Sequence, residues 1–208
     1  MAIKLFLLLN KLKMYPHLLE LIYFYFVDIE KVILNNQIIS ANTKSIQLCY
    51  NRYQNNNIFL LLISLPFSHV EHLYLSFNKL SNIDLLCKKL KKCKNLKSLY
   101  LSNNLIDDIR PFYFLESLKK LDSIDIAINN ITDIYPFINL IKKSNIKRIN
   151  LFNNKLKNPN ILINNLDFSN LEYLYIQSNN LNNESRNKIH NGVKNKSNKL
   201  IKIIVRIN

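Results

Sequence analysis

The residue types that most often perform catalysis or hold metal ions are few in this chain and widely spaced. Its histidines and cysteines are His17, His69, His72, His190, Cys49, Cys87 and Cys93. They form no CxxC pair and no Cys/His cluster with metal-ligand spacing, and no Ser or Cys lies in a recognisable nucleophile motif. The adjacent Asp107 and Asp108 are expected near a helix N-terminus rather than in acid–base chemistry. The sequence therefore predicts no catalytic residue, no metal site and no cofactor, and hence no enzyme.

A nine-residue motif, LxxLxLxxN, is the strongest pattern in the chain. Five segments match it, at 70–78, 96–104, 121–129, 146–154 and 171–179. Their final asparagines are spaced 26, 25, 25 and 25 residues apart and are Asn78, Asn104, Asn129, Asn154 and Asn179. A fixed period of this length is typical of a solenoid in which each repeat forms one coil.

Each motif predicts one short strand followed by a turn. Apolar residues at positions 1, 4 and 6 of the motif should point into the coil, whereas positions 3, 5 and 7 should face outward. The asparagine at position 9 ends the strand, where its side chain can bond backbone groups of its own and the adjacent coil. A buried amide without partners costs about 1–3 kcal/mol, so we predict a structural role for this Asn ladder.

The pattern resembles the leucine-rich repeat family across residues 27–205. The unit tail NxIxxI, as in residues 104–109 and 129–134, is similar to the intracellular subclass typified by the phosphatase regulator Sds22 and the spliceosomal U2 A-prime protein. The resemblance implies an α/β fold, a leucine-rich repeat solenoid. Its curved parallel β-sheet would line the concave side, with helices and irregular turns on the convex side.

The two ends of the chain are less regular than the middle. We predict an N-terminal capping helix at 1–27, leucine-rich repeats at 28–182 with the first two degenerate, and a C-terminal capping helix and strand at 183–208. The degenerate strands, near 29–37 and 45–51, either belong to a truncated coil or pair with each other as a cap. The stretch MYPHLLELIYFYF is also similar to the start of an F-box helix, although we favour an amphipathic capping helix.

The outward positions of the repeats are the candidate binding residues, because the fold would place them side by side on its concave face. They are His72, Tyr74, Tyr100, Asp125, Arg148, Asn150, Phe152, Tyr173 and Tyr175. Tyr74 and Tyr100 occupy the same position in adjacent repeats, which predicts stacking because neighbouring strands lie about 4.8 Å apart. Tyr, Phe and Arg are enriched where proteins bind proteins. We therefore expect the partner to be another protein.

The net charge of +15 suggests nucleic acid as an alternative partner, which we do not favour. The excess comes from 24 Lys against 5 Arg, alongside 34 Asn, as AT-rich coding would give. Arg would be preferred for bidentate contacts with phosphates and bases. The lysines of residues 88–94 also fall on the predicted helical side, away from the aromatic residues.

The longest uncharged apolar run, residues 58–67, is about half of what a membrane-spanning helix needs. The three cysteines show no disulfide framework, which favours a reducing compartment. We therefore expect an intracellular protein, cytoplasmic or nuclear, that acts as a monomer within a complex. The leading hypothesis is a non-catalytic protein-binding scaffold. The alternatives are a ribonucleoprotein component similar to U2 A-prime, or a phosphatase regulator or ubiquitin-ligase adaptor.

Overall fold

The computed structural model describes residues 31–34, 37–40, 42–49, 69–157, 170–196 and 202–204. The strands in these ranges are β1 Lys31–Leu34, β2 Gln37–Ser40, β3 Ser45–Gln47, β4 His72–Tyr74, β5 Ser98–Tyr100, β6 Ser123–Asp125, β7 Arg148–Asn150, β8 Tyr173–Tyr175 and β9 Lys202–Ile204. The helices are α1 Asp84–Leu90, a 3-10 helix Arg110–Ser117, α2 Tyr135–Lys143 and α3 Asn183–Lys196. The capping helix predicted at residues 1–27 lies outside the described residues.

Strands β3 to β9 form one seven-stranded sheet in chain order, and every neighbouring pair is parallel. The register follows the sequence repeat, so that Leu73 lies beside Leu99 and Leu99 beside Ile124. Each coil therefore contributes one strand to the sheet, and the coils between β4 and β7 return through helical segments. This arrangement confirms the predicted α/β solenoid.

The N-terminal strands are arranged differently from either alternative expected for them. β1 pairs antiparallel with β2 in a separate two-stranded sheet, with Lys31 opposite Ser40. β3 instead lies parallel to β4 as the first strand of the large sheet. Among the described residues, β1 therefore pairs with β2 and not with β3.

The core is a stack of apolar side chains from positions 4 and 6 of each repeat. These residues are almost fully buried and are Leu73, Leu75, Leu99, Leu101, Ile124, Ile126, Ile149, Leu151, Leu174 and Ile176. On the helical side, the rings of Phe112 and Phe137 meet edge-to-face, with centroids 5.3 Å apart and planes at 81°. Burying an apolar side chain of this size stabilises the fold by about 1.5–3 kcal/mol.

An Asn or Asp side chain precedes each helical segment between β4 and β7 and accepts a backbone N–H at its start. Oδ1 of Asn82 accepts from Asp84 at 2.8 Å, Oδ1 of Asp108 from Arg110 at 2.9 Å, and Oδ1 of Asp133 from Tyr135 at 2.8 Å. These bonds satisfy N–H groups that have no partner within the helix. Asp108 thus has the helix N-terminal role that the sequence indicates.

The Asn at position 9 ties each coil to the one before it. Nδ2 of Asn129 donates to the Leu101 carbonyl of the preceding coil at 3.0 Å and to the Ile126 carbonyl of its own coil at 3.1 Å. Its Oδ1 accepts the N–H of Ile106 at 3.0 Å. Equivalent bonds are made by Asn104, Asn154 and Asn179. The buried amide is therefore satisfied only when two coils are stacked in register.

Position 8 of every repeat lies in the left-handed region of backbone space. The φ angles are 58° at Phe77, 54° at Asn103, 52° at Ile128, 51° at Asn153 and 54° at Ser178. This turn lets the N–H of position 8 donate to the next coil, as Ile128 does to the Phe152 carbonyl at 2.7 Å. Asn tolerates this conformation, whereas for a bulky residue such as Phe or Ile it is an outlier.

Replacing Asn129 by Ala should lower the free energy of unfolding by about 3 kcal/mol or more, because it removes partners from several buried backbone groups, each costing about 1–3 kcal/mol. Urea denaturation followed by far-UV circular dichroism measures the loss. Asn130→Ala is the control, since Asn130 bonds the Ile106 carbonyl through its backbone N–H. Equal losses in the two variants would contradict the structural role of Asn129.

Replacing Ile128 by Asn should remove about 1 kcal/mol of backbone strain, because Asn accepts the left-handed conformation at lower cost. Ile128 is only 38% exposed, so the apolar burial that the change removes opposes this gain, and the reciprocal change gives the clearer test. The reciprocal change, Asn103→Ile, should lower stability in the same urea titration. A stabilising effect of Asn103→Ile would show that position 8 carries no such strain.

Candidate interaction face

The concave face is formed by two rows of outward side chains that run across the sheet. The position-3 row, from β4 to β8, is His72, Ser98, Ser123, Arg148 and Tyr173. The position-5 row is Tyr74, Tyr100, Asp125, Asn150 and Tyr175. The central residue of each of these strands is buried, so the residues on either side of it face outward. All of the candidate residues within the strands therefore share one face.

Two tyrosines form a stacked pair on β4 and β5. The ring centroids of Tyr74 and Tyr100 are 4.5 Å apart and their planes differ by 3°, which confirms the predicted stacking. Desolvation and the neighbouring Tyr100 raise the pKa of the Tyr74 hydroxyl, which keeps this phenol neutral. Just beyond this pair, the hydroxyl of Ser102 donates to that of Ser76 at 2.9 Å. The pair is thus a fixed aromatic surface.

Asp125 lies at the middle of the face, next to Tyr100 in the same row. Its Oδ1 accepts the backbone N–H of Ala127 at 3.0 Å, and the Asn150 side chain hydrogen-bonds the carboxylate. Desolvation raises the pKa of Asp125, and these two hydrogen bonds oppose that rise. The described residues contain no cation in an ion pair with Asp125. Its charge is therefore held in place but not neutralised.

The β7–β8 end of the face carries the other aromatic and basic candidates. The guanidinium of Arg148 lies 5.5 Å from the ring centroid of Tyr173, within the range of a cation–π contact. It also approaches the carboxylates of Asp122 at 3.9 Å and Glu172 at 4.0 Å. Arg148 is therefore oriented by neighbours on both sides.

Phe152 and His72 complete the candidate set at the borders of the face. Phe152 follows β7 and is 38% exposed. His72, on β4, is half-buried, and its Nδ1 has no hydrogen-bond partner among the described atoms. The structure thus brings all nine candidates to one side of the sheet, with aromatic residues at both ends.

An alternating row of charges borders the face at position 2 of each repeat, and the sequence analysis missed it. The row is Lys44, Glu71, Lys97, Asp122, Lys147 and Glu172. Glu71 pairs with Lys44 at 3.3 Å and also with Lys97, while Lys147 pairs with Glu172 at 2.9 Å. The alternation is readable in the aligned motifs, because position 2 reads E, K, D, K, E in the five matches. This border is close to neutral despite the basic composition.

The lysines of α1 and the turn after it are separate from this face. Lys88, Lys91, Lys92 and Lys94 are exposed, and Lys94 donates to the Ser117 hydroxyl of the next coil at 3.0 Å. No aromatic residue stacks with these lysines among the described ring contacts. They fit a solvated outer surface better than a nucleic-acid groove, where bases need aromatic platforms beside the positive charge.

Outside this face, the described residues include a surface cavity and a buried thiol. A surface cavity of about 460 Å³ lies between α1 and the 3-10 helix, lined by Asp84, Asp107, Asp108 and Arg110 among others. Arg110 and Asp108 form an ion pair at 2.7 Å there. Burial raises the pKa of the Cys93 thiol to about 12, which disfavours the nucleophilic thiolate. In the described ranges, no cluster of potential metal ligands occurs, and no helix has the length and apolar character that a membrane span requires.

Comparisons with known proteins agree with this architecture. Residues 68–113 and 94–139 match the family model of leucine-rich repeats in two copies. An internalin (inlF) of Listeria monocytogenes has a TM-score of 0.55 at 25% identity, covering 73% of this chain and 39% of the internalin. A leucine-rich repeat protein of Leptospira interrogans has a TM-score of 0.56 at 20% identity, covering 78% of this chain and 37% of that protein. No curated protein gives a significant match. The chain thus contains the predicted leucine-rich repeats and spans less than half of these two proteins.

Replacing Glu71 by Gln should lower the urea midpoint at neutral pH, because it removes the carboxylate between Lys44 and Lys97. Hydrogen bonding from Lys97 lowers the pKa of Glu71 in the folded chain. Its stabilising contribution is therefore complete above the unfolded pKa and is lost as the pH falls through the folded pKa. The difference in urea midpoint between variant and wild type should disappear below about pH 4 and become smaller in high salt. Asp107→Asn, at an exposed carboxyl with no ion pair among the described residues, is the control and should leave the urea midpoint at neutral pH close to that of the wild type.

Proposed function

Because residues 68–139 are leucine-rich repeats within one continuous parallel sheet, we propose that the chain is a non-catalytic scaffold that binds another protein through its concave face. The observation that carries this proposal is the Tyr74–Tyr100 stack, held half-exposed on a rigid sheet. Exposed aromatic area of this kind is enriched at protein interfaces, where it buries a large surface with little loss of side-chain freedom.

Rigidity of the sheet supports the same proposal. The backbones of β4 to β8 pair with a strand on both sides, and the Asn ladder fixes the turn that follows. A surface that is already ordered before binding loses little conformational entropy when a partner docks. Side chains from five strands can then act together without a change in the scaffold.

The position of the charges favours a protein over nucleic acid. The border of the concave face alternates in sign, and the lysines around α1 lie apart from the aromatic residues. Nucleic-acid affinity draws on several phosphate contacts made by one positive surface. The concave face offers Arg148 as its exposed cation in the described strands β4 to β8, and that cation already has two acidic neighbours.

The second candidate function is a ribonucleoprotein component similar to U2 A-prime, supported by the net charge of +15. It requires RNA affinity that falls steeply with salt, whereas the scaffold proposal requires indifference to RNA at low salt. A phosphatase regulator or a ubiquitin-ligase adaptor would be a special case of the scaffold. Mass spectrometry of captured proteins would separate these two roles by recovering a phosphatase or a ligase core.

Substituting Tyr74, Tyr100 and Tyr175 by Ala should weaken partner binding by at least about 30-fold, the effect expected when interface hot spots are removed. The partner is first identified by placing a photo-crosslinking amino acid at Tyr100 in the full chain and isolating the adduct from the source cells. Affinity is then measured with the purified partner and the purified variants.

Tyr135→Ala provides the matched control, because Tyr135 is 56% exposed and lies on the helical side of the coil. It should leave the affinity unchanged. Far-UV circular dichroism and urea midpoints establish that the three substitutions leave the repeats folded. Full affinity in the folded triple variant would move the binding site away from the concave face.

A further inference from the structure

The outward positions of β6 and its continuation hold smaller side chains than those of the neighbouring strand β7. They are Ser123, Asp125 and the buried Ala127, against Arg148, Asn150 and, just beyond β7, Phe152. On the other side, Tyr100 projects between two small residues, Ser98 and Ser102. From this size difference we expect a low area over β6 that has the Asp125 carboxylate at its centre; we call it the Asp125 notch and define it by Tyr100, Ser123 and Asp125.

The ring of Tyr100 forms one wall of this notch. The Tyr74 and Tyr100 rings are parallel within 3° and their centroids are 4.5 Å apart, close to the spacing of about 4.8 Å between neighbouring strands. The normals of both rings must therefore run across the strands rather than along them. One face of Tyr100 is covered by Tyr74, so its other face is directed toward β6 and Asp125.

Among the described residues, Asp125 accepts hydrogen bonds only from uncharged donors and forms no ion pair. Its hydrogen bonds come from the Ala127 N–H and the Asn150 side chain, both uncharged donors. The basic residue of the neighbouring strand β7, Arg148, approaches Asp122 and Glu172 and lies over Tyr173 instead. A negative charge beside the open face of an aromatic ring attracts a cation through both ionic and cation–π contacts.

We propose that the Asp125 notch binds the guanidinium group of an arginine side chain presented by the partner protein. The inference rests on the proposed function and specifies the chemistry that the partner must offer. A planar guanidinium can stack on the open face of Tyr100 while it donates hydrogen bonds to the Asp125 carboxylate. An ammonium group lacks the planar surface for the first contact, so lysine should bind more weakly.

Partial desolvation of the carboxylate agrees with this assignment. Burial raises the pKa of Asp125, which means that ionised Asp125 is poorly solvated in the free protein. A cation that docks there recovers interaction energy that water does not supply. Asn, of nearly the same size, would keep the hydrogen bond from Ala127 without the charge, and the scaffold does not need an acid at this position.

The test uses the full chain and peptides selected from a random display library. Binders that compete with one another are synthesised, and each arginine is replaced in turn by citrulline, its uncharged analogue of similar shape. Dissociation constants for both peptides are measured by fluorescence anisotropy with the wild type, Asp125→Asn and the control Asp107→Asn. Asp107 lies at the cavity between α1 and the 3-10 helix.

The notch predicts that one arginine recurs in the selected peptides and that its change to citrulline weakens binding to the wild type by about 30-fold. With Asp125→Asn, the arginine and citrulline peptides should bind with nearly equal affinity. Asp107→Asn should keep the full difference. This coupling between one residue of the chain and one of the peptide isolates their interaction from other effects of either change.

Two outcomes would contradict the inference, and they differ in whether the proposed function also fails. In the first, the peptides require Tyr100, but replacing arginine by citrulline lowers the affinity equally for the wild type and Asp125→Asn. Asp125 then does not bind the arginine, although the concave face still binds peptides. If the chain yields no binders, or binders that are insensitive to Tyr74→Ala and Tyr100→Ala, the proposed function fails and the notch fails with it. Selected peptides rich in acidic residues would likewise count against an arginine site.

Because Asp125→Asn removes a poorly solvated charge, its urea midpoint at neutral pH should equal or exceed that of the wild type. This readout separates a loss of arginine recognition from a loss of folding. A midpoint well below that of the wild type would show that Asp125 serves the coil rather than a partner.

Discussion

The constraint on which this structure depends is the satisfaction of buried backbone groups where each coil turns away from the sheet. The chain turns sharply at the end of each strand, and this leaves backbone carbonyl and N–H groups buried without partners from the sheet. The position-9 asparagine meets that need with one amide that bonds two coils at once. Because an unpaired buried group costs about 1–3 kcal/mol, stacking of adjacent coils and formation of the turn are inseparable.

That constraint also explains the strain at position 8. The chain has a single glycine, so the left-handed residue before each Asn must be of another type. Asn103 and Asn153 fill the position at modest cost, whereas Phe77 and Ile128 hold apolar side chains that are 39% and 38% exposed. The turn is over-determined by its hydrogen bonds, which allows these residues to persist in a conformation that they do not favour.

Periodicity in the sequence was sufficient to predict the parallel sheet, its register, the buried positions and the Tyr74–Tyr100 stack, because each depends on one residue type at one place in the repeat. The φ angles of position 8 could not be predicted, since Phe and Ile give no local signal for that conformation. The antiparallel pairing of β1 with β2 was missed because residues 29–37 were interpreted as one degenerate strand. The alternating charges at position 2 were readable in the aligned motifs, but single exposed charges carry little weight until neighbours are known to be adjacent.

Asp125 is a residue of the sheet whose charge the repeat architecture does not require. Its neighbours in the same row, Tyr100 and Asn150, show that the coil accepts uncharged residues of different sizes there. A third tyrosine would have extended the stack, and an asparagine would have made the same hydrogen bond to the following N–H, as Asn150 does to Phe152 at 3.1 Å. The carboxylate instead keeps a desolvated charge without a cation among the described residues. A feature that the repeat does not require and that opposes its stability is best explained by a partner that compensates it.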